Sequence, residues 1–255
     1  MTSVQLPDPT FHKWPGTATE EYTTARRALL EKEFALVNQQ EEVAAQRRAL
    51  PLGPIMPTYT FEEGSADLDT SSATRQTTLA ELTKKSRNKT LIVQHFMMDE
   101  GDVDACSGCT MMTDSLNGIA KHLAQRFTLV IIAKAPLPIF RAWAKKRGWK
   151  DVRLLSSDGN TFNKDMGVES PDWFREMKQG PGLSVFKYEG AGDGEEGKVR
   201  FVYQTTPHFG KETAHILTGM DSLTLSWQLF DITPEGRGGF IPSNEYVDDC
   251  SGVIS

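Results

Sequence analysis

Leu91-Ile92-Val93-Gln94-His95-Phe96-Met97-Met98 runs into a short acidic loop. It then continues through Cys106-Ser107-Gly108-Cys109 into Thr110-Met111-Met112-Thr113-Asp114-Ser115-Leu116. The first segment is an apolar run of strand length. The last carries Met111, Leu116, Ile119, Ala120 and Leu123 at helical spacing. Between them stand two cysteines spaced C-x-x-C, with a helix expected to begin at or just after the first. A strand delivers such a motif to one edge of a sheet. The unpaired N–H groups and partial positive charge of a helix N-terminus then favour a thiolate over a thiol.

The rest of the composition narrows the setting. At 255 residues the chain can bury a substantial core, so one elaborated domain is the default. The net charge of −6 and the lack of a contiguous basic block give no footprint for nucleic acid. No stretch approaches the ~20 apolar residues that span a bilayer, so no membrane partner is expected. Met1 to Pro7 has neither the basic nor the apolar region of a secretory signal. Three cysteines, two of them in one motif, fit a reducing compartment and point to the cytoplasm. Cys250, alone in a polar tail, reads as an incidental exposed thiol.

Residues 1–18 read as a surface arm. Thr19 to Ala49 reads as a long helix, capped by Thr19, with Glu20 and Glu21 in its first turn and Pro51 ending it. Its stripe of Leu29, Leu30, Phe34, Val37 and Val43 is too irregular for sustained heptads, so the helix is expected to pack on the domain. Tyr59-Thr60-Phe61 looks like a short strand and Leu79 to Leu82 like a short helix. Thr90 to Phe96 and Phe127 to Ala135 read as buried parallel strands. A helix over 139–148, stopped by Gly148, follows the second of them, and Val152 to Ser156 is a short strand. Leu183 to Tyr188 and Val199 to Tyr203 form a hairpin around a Gly-rich acidic loop. Helices are expected over Glu212–Thr218 and Ser222–Leu229. The expected organisation is an arm and long helix over 1–57, an α/β domain over 58–237 and a tail over 238–255.

From residue 90 the order is strand, C-x-x-C helix, strand, helix, short strand, hairpin, helix. A right-handed βαβ unit followed by an antiparallel hairpin and a helix is the thioredoxin-like arrangement: a central mixed sheet flanked by helices, here with an N-terminal helical extension. The chain also resembles the DUF899 family of thioredoxin-like proteins. The resemblance rests on Gln46-Arg47-Arg48-Ala49-Leu50-Pro51, Tyr59-Thr60-Phe61-Glu62, His95-Phe96-Met97, Cys106-Ser107-Gly108-Cys109 and Ala135-Pro136-Leu137. Gly180-Pro181-Gly182-Leu183-Ser184-Val185-Phe186 and Leu229 to Arg237 belong to it as well. It implies the thioredoxin-like fold and leaves the substrate open. The acidic loop Asp99 to Asp104 and the insertion after Tyr188 depart from the pattern.

The leading functional reading is a thiol–disulfide oxidoreductase or thiol-dependent reductase that needs no cofactor. Cys106 attacks and Cys109, one turn in, resolves the mixed disulfide. Its partners would be a small-molecule or peptide thiol or disulfide and a cellular dithiol reductant; a homo-oligomer is compatible with the sequence. Asp99, Glu100, Asp102 and Asp104 should oppose thiolate formation. Pro181 sits where thioredoxin-like folds place a cis-proline that presents backbone to substrate, so a cis Gly180–Pro181 bond beside Cys106 is expected. Arg47 and Arg48, at the end of the long helix, are candidates for binding an anionic substrate or stabilising the thiolate. The alternative is a metal site in which His95, Cys106 and Cys109 hold Cu(I) or zinc, soft N/S donors suiting both. A non-redox enzyme or accessory protein using the fold as scaffold is the third reading. A peroxidase is disfavoured, because Asp102-Val103-Asp104-Ala105 supplies no Thr-x-x-Cys.

Overall fold

The computed structural model describes residues 14–70, 74–190, 197–207 and 219–246. The helix expected over Glu212–Thr218, the centre of the Gly-rich loop and Cys250 lie outside the described residues. The chain divides into two compact units, one ending at Pro51 and the other beginning at Leu52. The first holds α1 (Glu20–Ala49), whose N-cap Thr19 accepts the Tyr22 N–H and whose last turn carries Arg47 and Arg48.

The second unit holds β1 (Thr60–Gly64), β2 (Thr74–Thr78), α2 (Leu79–Lys85), β3 (Thr90–Phe96), α3 (Ser107–Leu123), β4 (Thr128–Ala133), α4 (Leu137–Arg147), β5 (Arg153–Ser156), α5 (Phe162–Asp165), β6 (Gly182–Glu189), β7 (Lys198–Thr205) and α6 (Leu225–Phe230). The strands form one seven-stranded sheet in the order β2-β1-β5-β4-β3-β6-β7. β3, β4 and β5 run parallel, while β6 pairs antiparallel with β3 and with β7. The run β4-β3-β6-β7 is the thioredoxin-like core, and β5, β1 and β2 extend it on the β4 side. None of the described helices is long and apolar enough to cross a membrane.

The apolar runs read as buried strands are buried on both faces, because helices cover both sides of a parallel sheet. Strand alternation sorts their side chains. Phe96, Ile131, Ala133 and Leu154 face a layer built with Cys109, Phe140, Trp143 and Trp149. Leu91, Val93, Val130, Ile132 and Leu155 face the opposite layer with Phe61, Leu79, Leu82, Phe162 and Phe186. Gly148 stops α4 as expected, in the left-handed region at φ 71°, and the short helix expected around Leu79 is α2, which Thr78 and Glu81 close with a capping box. β2 went unread because Thr-Arg-Gln-Thr-Thr has no apolar alternation; its pairing with β1 makes it a strand.

Candidate functional site

β3 ends at Phe96, and the chain turns over the edge of the sheet. The Cys106 N–H donates to Met97 O at 3.3 Å, closing the acidic loop beneath the motif. Cys106 is the N-cap of α3, so both cysteines belong to its first turn. Cys106 Sγ accepts the Cys109 backbone N–H at 3.5 Å. Both are free thiols; Cys106 is partly buried and Cys109 is 1% exposed. A hydrogen bond from the Cys109 thiol, aided by the backbone N–H groups of Cys109 and Gly108 and opposed by burial, pulls the Cys106 pKa down from 9.0 to about 7. The same hydrogen bond, together with burial, pushes Cys109 well above the ordinary cysteine value. The two sulfurs are therefore unlike: one is poised as thiolate and the other is held as thiol. The net pull on Cys106 is downward, and it comes from the donors of the turn itself.

The turn is fixed from the sheet by residues the sequence reading passed over. Gln94, 1% exposed, points from β3 toward α3 and donates to Cys109 O at 3.3 Å. The Thr113 hydroxyl lies 2.8 Å from that carbonyl and 3.1 Å from Gln94 Oε1. Asn244, in the C-terminal segment, donates to Ala105 O at 2.6 Å. A glutamine inside an otherwise apolar strand was the available signal for Gln94. Nothing in the sequence ties Asn244 to residue 105.

A cavity of about 340 Å³ opens at Cys106. Met97, Met98 and Ala105 give it an apolar wall, and Glu176 to Gln179 close the far side. Gln179 is held by a buried polar chain. Ser157 donates to Asn163 at 2.8 Å, Asn163 to Gln179 at 2.9 Å, and Gln179 to Asp99 at 3.2 Å.

Two expectations are corrected. Gly180–Pro181 is trans, as is every peptide bond among the described residues. The Ser170 N–H donates to Lys178 O at 2.8 Å, and the Gly180 N–H to Val168 O at 2.6 Å. This ladder brings the chain already extended into β6, so no cis turn is needed. Pro181 is buried and is not among the residues lining the Cys106 cavity, where Lys178 and Gln179 stand instead.

His95, Cys106 and Cys109 do not assemble as a ligand set. Among the described residues no three His, Cys, Asp or Glu side chains gather to hold a metal. The reason is the two-residue period of β3: Gln94 faces α3, so His95 faces the other side of the sheet. There its ring stacks on Phe162 at 5.6 Å, and its Nε2 lies 2.7 Å from Ser184 Oγ. The Ser184 hydroxyl donates onward to Gln204 at 2.8 Å, so Nε2 carries the His95 proton and Nδ1 is a bare, buried acceptor. Burial pushes the His95 pKa down to about 3. Arg47 and Arg48 stand in the last turn of α1, in the other compact unit.

A model of the DUF899 family, described as bacterial protein of unknown function, matches residues 12–248. No curated protein matches the chain. Among solved structures, the reduced 2-Cys peroxiredoxin of Plasmodium vivax is 14% identical over 69% of this chain and 98% of its own, with a TM-score of 0.44. The antioxidant protein (1-Cys peroxiredoxin) of Plasmodium falciparum is 13% identical over 71% and 98%, with a TM-score of 0.45. The reduced Prx3 of Vibrio vulnificus, solved with hydrogen peroxide, is 13% identical over 69% and 95%, with a TM-score of 0.42. The fold itself stands on the strand order and registers above.

Proposed function

This chain belongs to the DUF899 family, and we propose that it is a thiol–disulfide oxidoreductase or thiol-dependent reductase acting through Cys106 and Cys109. The observation that carries the reading is the asymmetry of the pair: a partly buried N-cap sulfur that lines a cavity, its pKa at about 7, beside a buried thiol held protonated. That is the division of labour dithiol exchange needs. The Cys106 thiolate attacks one sulfur of a disulfide, the S–S bond breaks, and the departing thiolate takes a proton. The Cys109 thiol then loses its proton and attacks Cys106 Sγ. A Cys106–Cys109 disulfide forms and the second substrate thiol leaves. Two electrons pass from the protein to the substrate, and a cellular dithiol restores the reduced pair. The chemistry calls for no metal or organic cofactor, and it suits a reducing compartment such as the cytoplasm.

The test is a redox titration of the full chain against reduced and oxidised dithiothreitol, followed by intact mass and peptide mapping. A reversible loss of two hydrogens confined to the peptide holding Cys106 and Cys109 is expected. A pair that stays reduced across the titration overturns the proposal.

A further inference from the structure

The wall of the Cys106 cavity carries Asp99, Asp102, Asp104 and Glu176 against a single cation, Lys178. Two of these charges are held in place. Asp102 accepts the Asp99 N–H at 2.7 Å, and Asp99 accepts the Glu100 N–H at 2.8 Å as well as the Gln179 amide. Among the described residues only Asp104 of the four meets a cation, Lys146 at 3.7 Å, with both side chains largely in solvent. Asp99, Asp102 and Glu176 enter no ion pair among the described residues. Their field falls on whatever enters the cavity, where low-dielectric walls focus it. The volume, near the lower end for ligand pockets, admits a small molecule or a short side-chain-sized group.

We infer that the substrate of this site is a small disulfide bearing positive charge, such as an aminoalkyl disulfide, and that the acidic wall selects it over anionic disulfides. The inference rests on the dithiol reading above and adds the charge of the substrate to it. For such a diamine disulfide the exchange yields two aminothiols and the Cys106–Cys109 disulfide, by the steps already written.

The experiment measures oxidation of the reduced full chain by three disulfides: cystamine (dicationic), hydroxyethyl disulfide (neutral) and dithiodiglycolate (dianionic). Each rate is divided by that of the same disulfide with dithiothreitol, which removes differences in leaving group. At low ionic strength cystamine should exceed dithiodiglycolate by about tenfold or more, with the neutral compound between, the size expected of electrostatic focusing. The ratio should fall several-fold near 0.5 M salt as screening shortens. Asp104→Asn with Glu176→Gln should lower the ratio of cystamine to dithiodiglycolate. Because that ratio is taken on one and the same protein, any change in the reactivity of Cys106 common to all three disulfides cancels from it. Equal normalised rates, or a preference for the dianion, overturn the charge inference while the dithiol reading stands. Failure of all three disulfides to oxidise the pair brings down both.

Discussion

Replacing Cys109 by alanine tests the origin of the Cys106 thiolate, because the Cys109 thiol supplies the largest pull on it and the backbone N–H groups of Cys109 and Gly108 supply less. At pH 7 a cysteine with a pKa of about 7 is half ionised, against about 1% at 9.0, roughly fifty times more thiolate. The gain is partly offset, since nucleophilicity falls with basicity at a Brønsted slope of ~0.4–0.5. Over two units this leaves Cys106 about five- to eightfold faster than an ordinary thiol. Cys109→Ala removes the thiol donor and keeps the backbone N–H groups, so the Cys106 pKa should rise by a unit or more. Each unit costs tenfold in thiolate and returns about threefold in nucleophilicity, so alkylation at pH 6 should slow about threefold or more. The assay is iodoacetamide labelling from pH 5 to 10, quantified on the Cys106 peptide, with a thermal melt to confirm folding. In the wild type the thiols titrate as a coupled pair, and the lower step should sit near 7 and be carried by Cys106. An unshifted pH profile in Cys109→Ala would refute the claim that the second sulfur activates the first.

Further outcomes follow from the surroundings of the motif. His95 is buried neutral with its pKa at about 3 against 6.5 in the unfolded chain, so the unfolded state binds the extra proton. Stability is therefore fully present above pH ~6.5 and falls by roughly 1.4 kcal/mol per unit as pH drops toward 3. Urea denaturation at several pH values should show that slope, and His95→Gln should flatten it; an identical slope in the variant would exclude His95 as its source. Gln94→Ala empties the site between β3 and α3 and leaves Cys109 O to Thr113 alone, which should cost about 1–3 kcal/mol in the same assay. Pro181→Ala, at a trans bond outside the cavity lining, should cost about 1 kcal/mol or less and leave Cys106 alkylation unchanged; a slowed reaction would return Pro181 to the site.

The elements most plainly written in the sequence are those whose signal is local or periodic. Leu91 to Phe96 and Leu129 to Ala133 are apolar because both faces of the parallel sheet are covered. That run, followed by C-x-x-C and a helical stripe, suffices to order the core strands. The cysteine-bearing turn was legible for the same reason: residue 106 precedes the first apolar-periodic residue of α3, so its sulfur occupies the N-cap. What failed needed knowledge of which face or partner a residue meets. His95 and the cysteines lie about ten residues apart and looked like one donor set. An odd–even step along β3 sends the imidazole to the Phe162 side and Gln94 to the cysteine side. The expectation at Pro181 came from fold analogy, and the backbone ladder through Val168, Ser170, Lys178 and Gly180 decides the matter without it.

The acidic loop shows how far proximity in sequence differs from proximity in space. Asp99 to Asp104 run up to the motif, and charge counting places them against the thiolate. The chain instead closes on itself through the Cys106 N–H to Met97 O, with Asp99 and Asp102 tied into that closure. The helix turn supplies the sulfur with its own donors, and the carboxylates face the cavity. On the proposed dithiol reading, a substitution at Cys109 acts first on how readily Cys106 ionises, and a substitution on the wall acts first on which disulfide the cavity admits.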